Sequence, residues 1–198
     1  MTELNPTPPG NKQALFNECL TDMREILISI NLPFFLTFGT LLGQHREGKF
    51  IEHDNDIDIG ILFSNFRVSS IYEKINASGK FDGYMFKGKL TESLELTYRH
   101  KNGINIDLFL YYPVNDGKDN YFYTATFEGI CNSKKEGYCK WGGHINGFKT
   151  VEFMGNTYNV PSNTEEFLEE YYGKNWRIPI KSNYIDSLTN GIRNNLIN

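Results

Sequence analysis

The stretch His53-Asp54-Asn55-Asp56-Ile57-Asp58-Ile59-Gly60 carries three carboxylates at alternate positions. Successive side chains on a β-strand point to opposite faces. Asp56 and Asp58 therefore share one face, while Ile57, Ile59 and Ile61 share the other and point into a core. Two carboxylates held a few ångströms apart repel each other, so a fold that keeps such a pair places positive charge between them. Oxygen-only ligands suit a hard cation, Mg²⁺ or Mn²⁺. Mg²⁺ held by one or two carboxylates and by substrate phosphates is the usual arrangement in phosphoryl transfer. Two plainer readings compete. A calcium loop of the EF-hand kind stays polar where Ile57 and Ile59 stand, and its glycine comes earlier than Gly60. An edge strand bearing solvated acids is the better of the two.

A further acid lies in Ile104-Asn105-Ile106-Asp107-Leu108-Phe109-Leu110-Tyr111. Asn105, Asp107 and Phe109 share one strand face, and Ile106, Leu108 and Leu110 the other. A buried carboxylate without a partner is costly. A cation shared with Asp56 and Asp58 would supply one; a Lys or Arg at a sheet edge is the alternative. Upstream, the apolar run Phe34 to Phe38 reads as a short buried strand, and Gly39-Thr40 opens a short helix, Leu41 to Arg46, ended by Gly48. Gly39 lets backbone approach a ligand closely. The N–H groups at the helix start, with the Thr40 hydroxyl, suit a phosphate. Alone, such a turn merely caps a helix. Followed by an acid strand, it sets a phosphate holder beside a metal holder.

These residues resemble the LicD/fukutin (fukutin-related) family of the nucleotidyltransferase-fold superfamily. The likeness rests on Phe38 to Gly43, on Arg46, Gly48 and Ile51, on Asp54 to Gly60, and on the Asp107 strand. It extends to Val160-Pro161-Ser162, Phe167-Leu168 and Tyr171-Tyr172-Gly173-Lys174-Asn175-Trp176-Arg177-Ile178-Pro179. The resemblance implies an α+β fold: a nucleotidyltransferase-like mixed β-sheet flanked by helices, in a single compact domain. It implies transfer of a phospho-alcohol, phosphocholine or ribitol phosphate, from a CDP-activated donor to a glycan hydroxyl. Asp56, Asp58 and Asp107 are then the catalytic and Mg²⁺- or Mn²⁺-binding residues, with Asp107 either completing the metal site or accepting the proton of the attacking hydroxyl. Gly39, Thr40, Arg46 and Asp54 are the candidate phosphate- or substrate-binding residues; Arg46 alternatively pairs with Asp54. Two rivals stand beside this reading. One is a nucleotidyltransferase that uses an NTP and releases pyrophosphate rather than CMP. The other is a non-catalytic protein that binds nucleotide or glycan.

Bulk properties bound the answer. A chain of 198 residues with 39% hydrophobic and 22% charged residues fits one globular domain with a substantial core. A net charge of −4 argues against broad nucleic-acid binding. No transmembrane segment is expected, residues 1–11 read as a flexible polar arm without a leader pattern, and a cytoplasmic location follows as the expectation. The family-like domain is expected over residues 12–198. Cys19 lies on an apolar helix face, whereas Cys131 and Cys139 flank a polar loop with His144 nearby; their spacing does not make a zinc pattern.

The elements that must position the acids follow from periodicity. Leu15, Phe16, Cys19, Leu20, Met23, Leu27 and Ile30 mark one face of a helix over residues 12–30. Residues 64–74 read as a helix with Val68, Ile71 and Tyr72 inward. Strands are expected at 84–86, 94–98, 104–112 and 121–127, with turns at Lys101-Asn102-Gly103 and Asn115-Asp116-Gly117. A hairpin over 150–160 turns at Gly155-Asn156. A helix over 164–172 carries acids in its first turn and ends at Gly173, and a weaker terminal helix spans 184–194. Trp176 reads as a packing residue.

Overall fold

The computed structural model of the chain describes residues 12–63, 68–114, 120–127, 138–179 and the backbone of 196–197. The expected N-terminal arm, the Asn115-Asp116-Gly117 turn, Cys131 and the terminal helix fall outside these residues. Helix α1 (Lys12–Ser29) forms where the apolar spacing puts it, burying Phe16, Cys19, Leu20, Met23, Ile26 and Leu27. Strand β1 is only Phe35–Leu36, because helix α2 (Phe38–Glu47) begins three residues earlier than the apolar run suggests. Strand β2 (Asp56–Leu62) carries the acid pair.

Helix α3 (Val68–Ser78) runs later than expected and buries Ile71 and Ile75, one turn apart. Tyr72 consequently faces out, 43% exposed, rather than inward. Then come β3 (Phe81–Lys87), β4 (Glu95–His100), β5 (Asn105–Pro113) and β6 (Tyr121–Thr126). Strand β7 (Cys139–His144) occupies a stretch to which the sequence reading assigns no element; Trp141 is its buried anchor, and Gly142 and Gly143 leave no side chains to reveal alternation. The expected hairpin is β8 (Phe148–Phe153) and β9 (Asn156–Pro161), but its two-residue turn is Met154-Gly155, both at positive φ, one residue before the expected Gly155-Asn156, because Asn156 pairs with Phe153. Helix α4 (Thr164–Tyr172) follows, and β10 (Leu196–Ile197) pairs antiparallel with β7.

β2 and β5 lie parallel at the heart of the main sheet, with Asp58 opposite Asp107. β1 flanks β2, and the order continues from β5 through β6 and β7 to β10. β5 has divided neighbours on its other side: residues 105–109 pair with β4, and residues 112–113 with β6. β3 lies outside β4. The sheet is thus mixed, and the fold is α+β as expected. Ile57, Ile59, Ile61, Ile106, Leu108 and Leu110 are fully buried on the face away from the acids. Helix α1 covers that face, where Asp22 meets His100 of β4 at 3.0 Å. α2 packs on the acid face of β2, and α4 packs on β7.

Gly60 sits opposite Phe35, whose ring covers it. A Cβ there would come within 2.3 Å of that ring. The ring cannot swing aside freely, because it packs at 5.0 Å from Tyr111 and 5.1 Å from Phe148. Gly60→Ala is expected to destabilise the chain by about 1–3 kcal/mol through overpacking, read as a lower denaturation midpoint in urea; an unchanged midpoint would show that the ring relocates.

Candidate active site

The turn between β1 and α2 aims backbone at the acids. Thr37 is extended (φ −137°, ψ 177°) and Phe38 turns the chain with φ 41°, a left-handed value uncommon for a bulky residue. The Phe38 ring is held edge-on between Phe109 at 4.8 Å and Tyr171 at 5.2 Å, and this packing sustains the turn. The next N–H, that of Gly39, donates to Asp58 Oδ2 at 2.9 Å. The Asp58 N–H in turn donates to Thr40 Oγ1 at 2.9 Å. The two elements are therefore locked together at the acid itself. Gly39 admits no side chain: a Cβ would stand 2.6 Å from Asp54 Oδ2 and 3.2 Å from Asp58 Oδ2.

Asp56, Asp58 and Asp107 converge. Each offers a carboxylate oxygen, and the three atoms lie within 4.8 Å of one another. The Thr97 hydroxyl of β4, opposite Asp107 in register, donates to Asp107 Oδ1 at 2.5 Å. Asp58 is pushed well above the usual carboxylate range, first by burial and then by the charges of Asp56, Asp107 and Asp54, with the Thr40 backbone N–H pulling weakly the other way. Such a cluster of repelling oxygens, turned toward one point and supplied by rigid strands, fits a hard divalent cation.

Asp54 borders the cluster. Burial, then the Asp56 charge, raises its carboxyl to about 6, and Lys12 and Arg46 oppose the rise. Lys12 also ties the start of α1 to this loop through the carbonyl oxygens of Glu52 and Asp54. The sequence-predicted residues divide accordingly. Gly39, Thr40, Asp54, Asp56, Asp58 and Asp107 are brought together. Arg46 pairs with Glu47, Nη2 to Oε1, at 2.5 Å, and its charge still reaches Asp54. Gly39 N–H and Thr40 Oγ1 are engaged with Asp58. Thr97 is missing from the sequence reading; its signal is the polar half of the alternation Glu95, Thr97, Arg99 in a strand recognised only by its apolar half. Cys139 is disulfide-bonded, which removes its sulfur from thiolate ligation of zinc.

Trp176 is buried, as expected of a packing residue, at 5.5 Å from the His45 ring of α2, with the Arg177 guanidinium stacked over it at 4.2 Å. Arg177 also reaches Glu165 of α4 at 2.5 Å. The Tyr-Gly-x-x-Trp segment thereby braces α2, whose first turn carries Gly39.

The family defined as LicD/FKTN/FKRP, nucleotidyltransferase domain, matches residues 31–163, and the chain belongs to that family. The matched span holds β1, α2 and all three carboxylate positions. The chain is 30% identical over 165 residues to Ribitol-5-phosphate transferase FKTN of Macaca fascicularis and to that of Homo sapiens; each alignment covers 83% of this chain and 34% of the relative. It thus spans about a third of the length of these curated relatives. An uncharacterized protein of Caenorhabditis elegans is 32% identical over 141 residues, covering 63% of this chain and 37% of its own. Among solved structures, the lincomycin-bound lincosamide antibiotic adenylyltransferase LnuA aligns over 87% of this chain and 95% of its own, with 14% identity and a TM-score of 0.44.

The Asp54 carboxyl gives the metal-free protein a pH dependence. Its folded value lies above the ordinary 3.8, so its protonation favours the folded chain. That contribution is full below about pH 3.8 and is lost as pH rises through about 6. In EDTA, melting temperature is expected to fall between about pH 4 and about pH 7, and Asp54→Asn should flatten this part of the profile by at most about 3 kcal/mol. Parallel profiles for the two proteins would remove Asp54 as the source.

Proposed function

We propose that the chain is a metal-dependent phosphotransferase that moves a phospho-alcohol from a CDP-activated donor to a glycan hydroxyl. The convergence of Asp56, Asp58 and Asp107 carries this reading. Family membership supports a transferase, and the relatives named as ribitol-5-phosphate transferases point to ribitol phosphate among the phospho-alcohols. Asp56, Asp58 and Asp107 would hold Mg²⁺ or Mn²⁺. Bound there, the cation supplies neutralisation of charge on the donor diphosphate and the departing nucleotide.

The chain's own groups do the rest. The acceptor hydroxyl oxygen forms a bond to the donor phosphorus next to the alcohol, the bond from that phosphorus to the CMP oxygen breaks, and CMP leaves. The hydroxyl proton passes to a carboxylate of the cluster; Asp107, oriented by the Thr97 hydroxyl, is the one to which we assign it. Gly39, with no side chain, lets the Asp54 and Asp58 carboxylates close against the start of α2, and its N–H aims Asp58 at the cation rather than holding the donor itself. Arg46, held on Glu47, assists from the periphery by moderating the charge at Asp54.

The nucleotidyltransferase description of the family keeps one rival in play: an NTP donor, with pyrophosphate as product. The non-catalytic binding reading keeps the same site and loses the products. The disulfide at Cys139 favours an oxidising compartment over the cytoplasmic location expected from sequence. No helix among the described residues is long and apolar enough to cross a membrane.

The deciding experiment incubates the chain with Mg²⁺ or Mn²⁺, a glycan acceptor panel and either CDP-alcohols or NTPs. CMP release that requires the metal and falls at least about 100-fold in Asp58→Asn supports the reading. Pyrophosphate release from an NTP replaces it with the rival. Binding of CDP-alcohol without turnover on any acceptor favours the non-catalytic alternative.

A further inference from the structure

The acid face of the sheet continues beyond the three carboxylates. Residues paired across neighbouring strands project to the same side. Asp58, Asp107 and Thr97 form one such row across β2, β5 and β4, and Asp56, Asn105 and Arg99 form the next. The intervening Ile57, Ile106 and Tyr98 are fully buried on the opposite face, which fixes the direction of both rows.

The first row is accounted for by the metal-type cluster and its Thr97 support. The second is not. Asn105 Oδ1 is shut off from solvent and has no hydrogen-bond partner. A buried carbonyl oxygen left this way loses its hydration without a replacement, and such an atom in a native fold calls for a partner. One strand further out, Arg99 makes no ion pair and no side-chain hydrogen bond among the described residues. Its Nη2 points back to the β4–β5 turn, 3.9 Å from where a Cβ on Gly103 would stand. Asp82 lies opposite it on β3 without closing an ion pair. A half-buried guanidinium with its donors unspent thus stands next to a buried acceptor with none.

We propose that Arg99 and Asn105 form an anion subsite that takes a phosphate group of the substrate on the β4 side of the carboxylate cluster. When the anion binds, the side chain turns from the β4–β5 turn, and one guanidinium N–H donates to Asn105 Oδ1 and holds it along the row. The remaining fork faces phosphate oxygens, a geometry that Arg matches with two parallel hydrogen bonds. Strands are about 4.8 Å apart, so Arg99 is rooted roughly 10 Å from Asp56. A long side chain spans that gap without lying among the carboxylates. The subsite deepens the phosphotransferase reading, on which the source of the phosphate rests: a nucleoside diphosphate donor or an anionic acceptor presents the same oxygens.

The test is calorimetric titration of inorganic pyrophosphate, and separately of CDP, into the whole chain with Mg²⁺ present. Arg99→Gln is expected to weaken pyrophosphate binding by about 10-fold or more, as loss of a charge-assisted contact does. Arg99→Lys should fall between it and the parent. Asn105→Ala, which leaves the charge, should weaken binding by about 3-fold. Lys149→Gln on β8 removes an equal charge elsewhere and should change nothing. Equal affinity in the parent and Arg99→Gln, or no pyrophosphate binding by the parent, overturns the subsite. Circular dichroism on each variant separates misfolding from lost binding, and Arg99→Lys carries the comparison if Arg99→Gln unfolds.

The source is read from the same variants. A parallel loss for CDP assigns the phosphate to the donor; CDP binding that ignores Arg99 while pyrophosphate binding depends on it assigns it to the acceptor. Arg99-dependent pyrophosphate binding in a chain that never releases CMP leaves the subsite standing and sinks the donor reading. CMP release with kcat and KM unaltered in Arg99→Gln does the reverse.

Discussion

Repulsion among carboxylates is the constraint around which this fold is arranged. Asp58 and Asp107 are direct neighbours on parallel strands, Asp56 is two residues from Asp58 on the same face, and Asp54 borders them. Burial and mutual charge drive the protonation of Asp54 and Asp58 upward. Such an arrangement survives because the opposing face is a closely packed apolar layer. Ile57, Ile59, Ile106 and Leu108 anchor the same two strands that bring the acids together. The hydrophobic contribution of that layer offsets the electrostatic strain on the other.

The second requirement is aim. Strands fix which face an acid occupies, but a carboxylate still rotates. Gly39 N–H fixes Asp58 Oδ2, and the Thr97 hydroxyl fixes Asp107 Oδ1. The first of these depends on the left-handed turn at Phe38, and that turn depends on the rings of Phe109 and Tyr171. Helix α4, which begins just after the span that the family matches, therefore reaches the acids through aromatic packing. The C-terminal Trp176 braces the far end of the same α2. Residues distant in sequence act on one small group of oxygens through ring contacts and a single backbone N–H.

Much of this was legible from residue order. Alternation places Asp56 and Asp58 on one face once the isoleucines are buried; that Asp107 joins them follows from the cost of a buried unpaired carboxylate and from the family resemblance, because alternation does not say which strands pair. The α1 stripe, the β8–β9 turn and the α4 cap were equally local signals. What residue order does not carry is non-local. The β7 strand has glycines where alternation would show. The Phe38 turn looks like strand in sequence, since nothing in Phe-Gly-Thr announces a positive φ at the phenylalanine. Tyr72 lies on a short helix whose inward face is fixed by Ile71 and Ile75 together, which turns it outward. Arg46 lies beside a motif yet pairs with its neighbour Glu47, while Thr97 and Arg99, far from any motif, share the acid face through strand pairing alone.

The division along β5 has a consequence for how such a chain can vary. Its first half is bonded to β4, and its last residues to β6, so the strand belongs to two neighbourhoods at once. The acids belong to the first. Loops and strands hung from β6 and β7 can lengthen, shorten or be rebuilt without shifting the register that sets Asp58 against Asp107. The fold thus separates an end whose register holds the carboxylates together from an end that carries none of them.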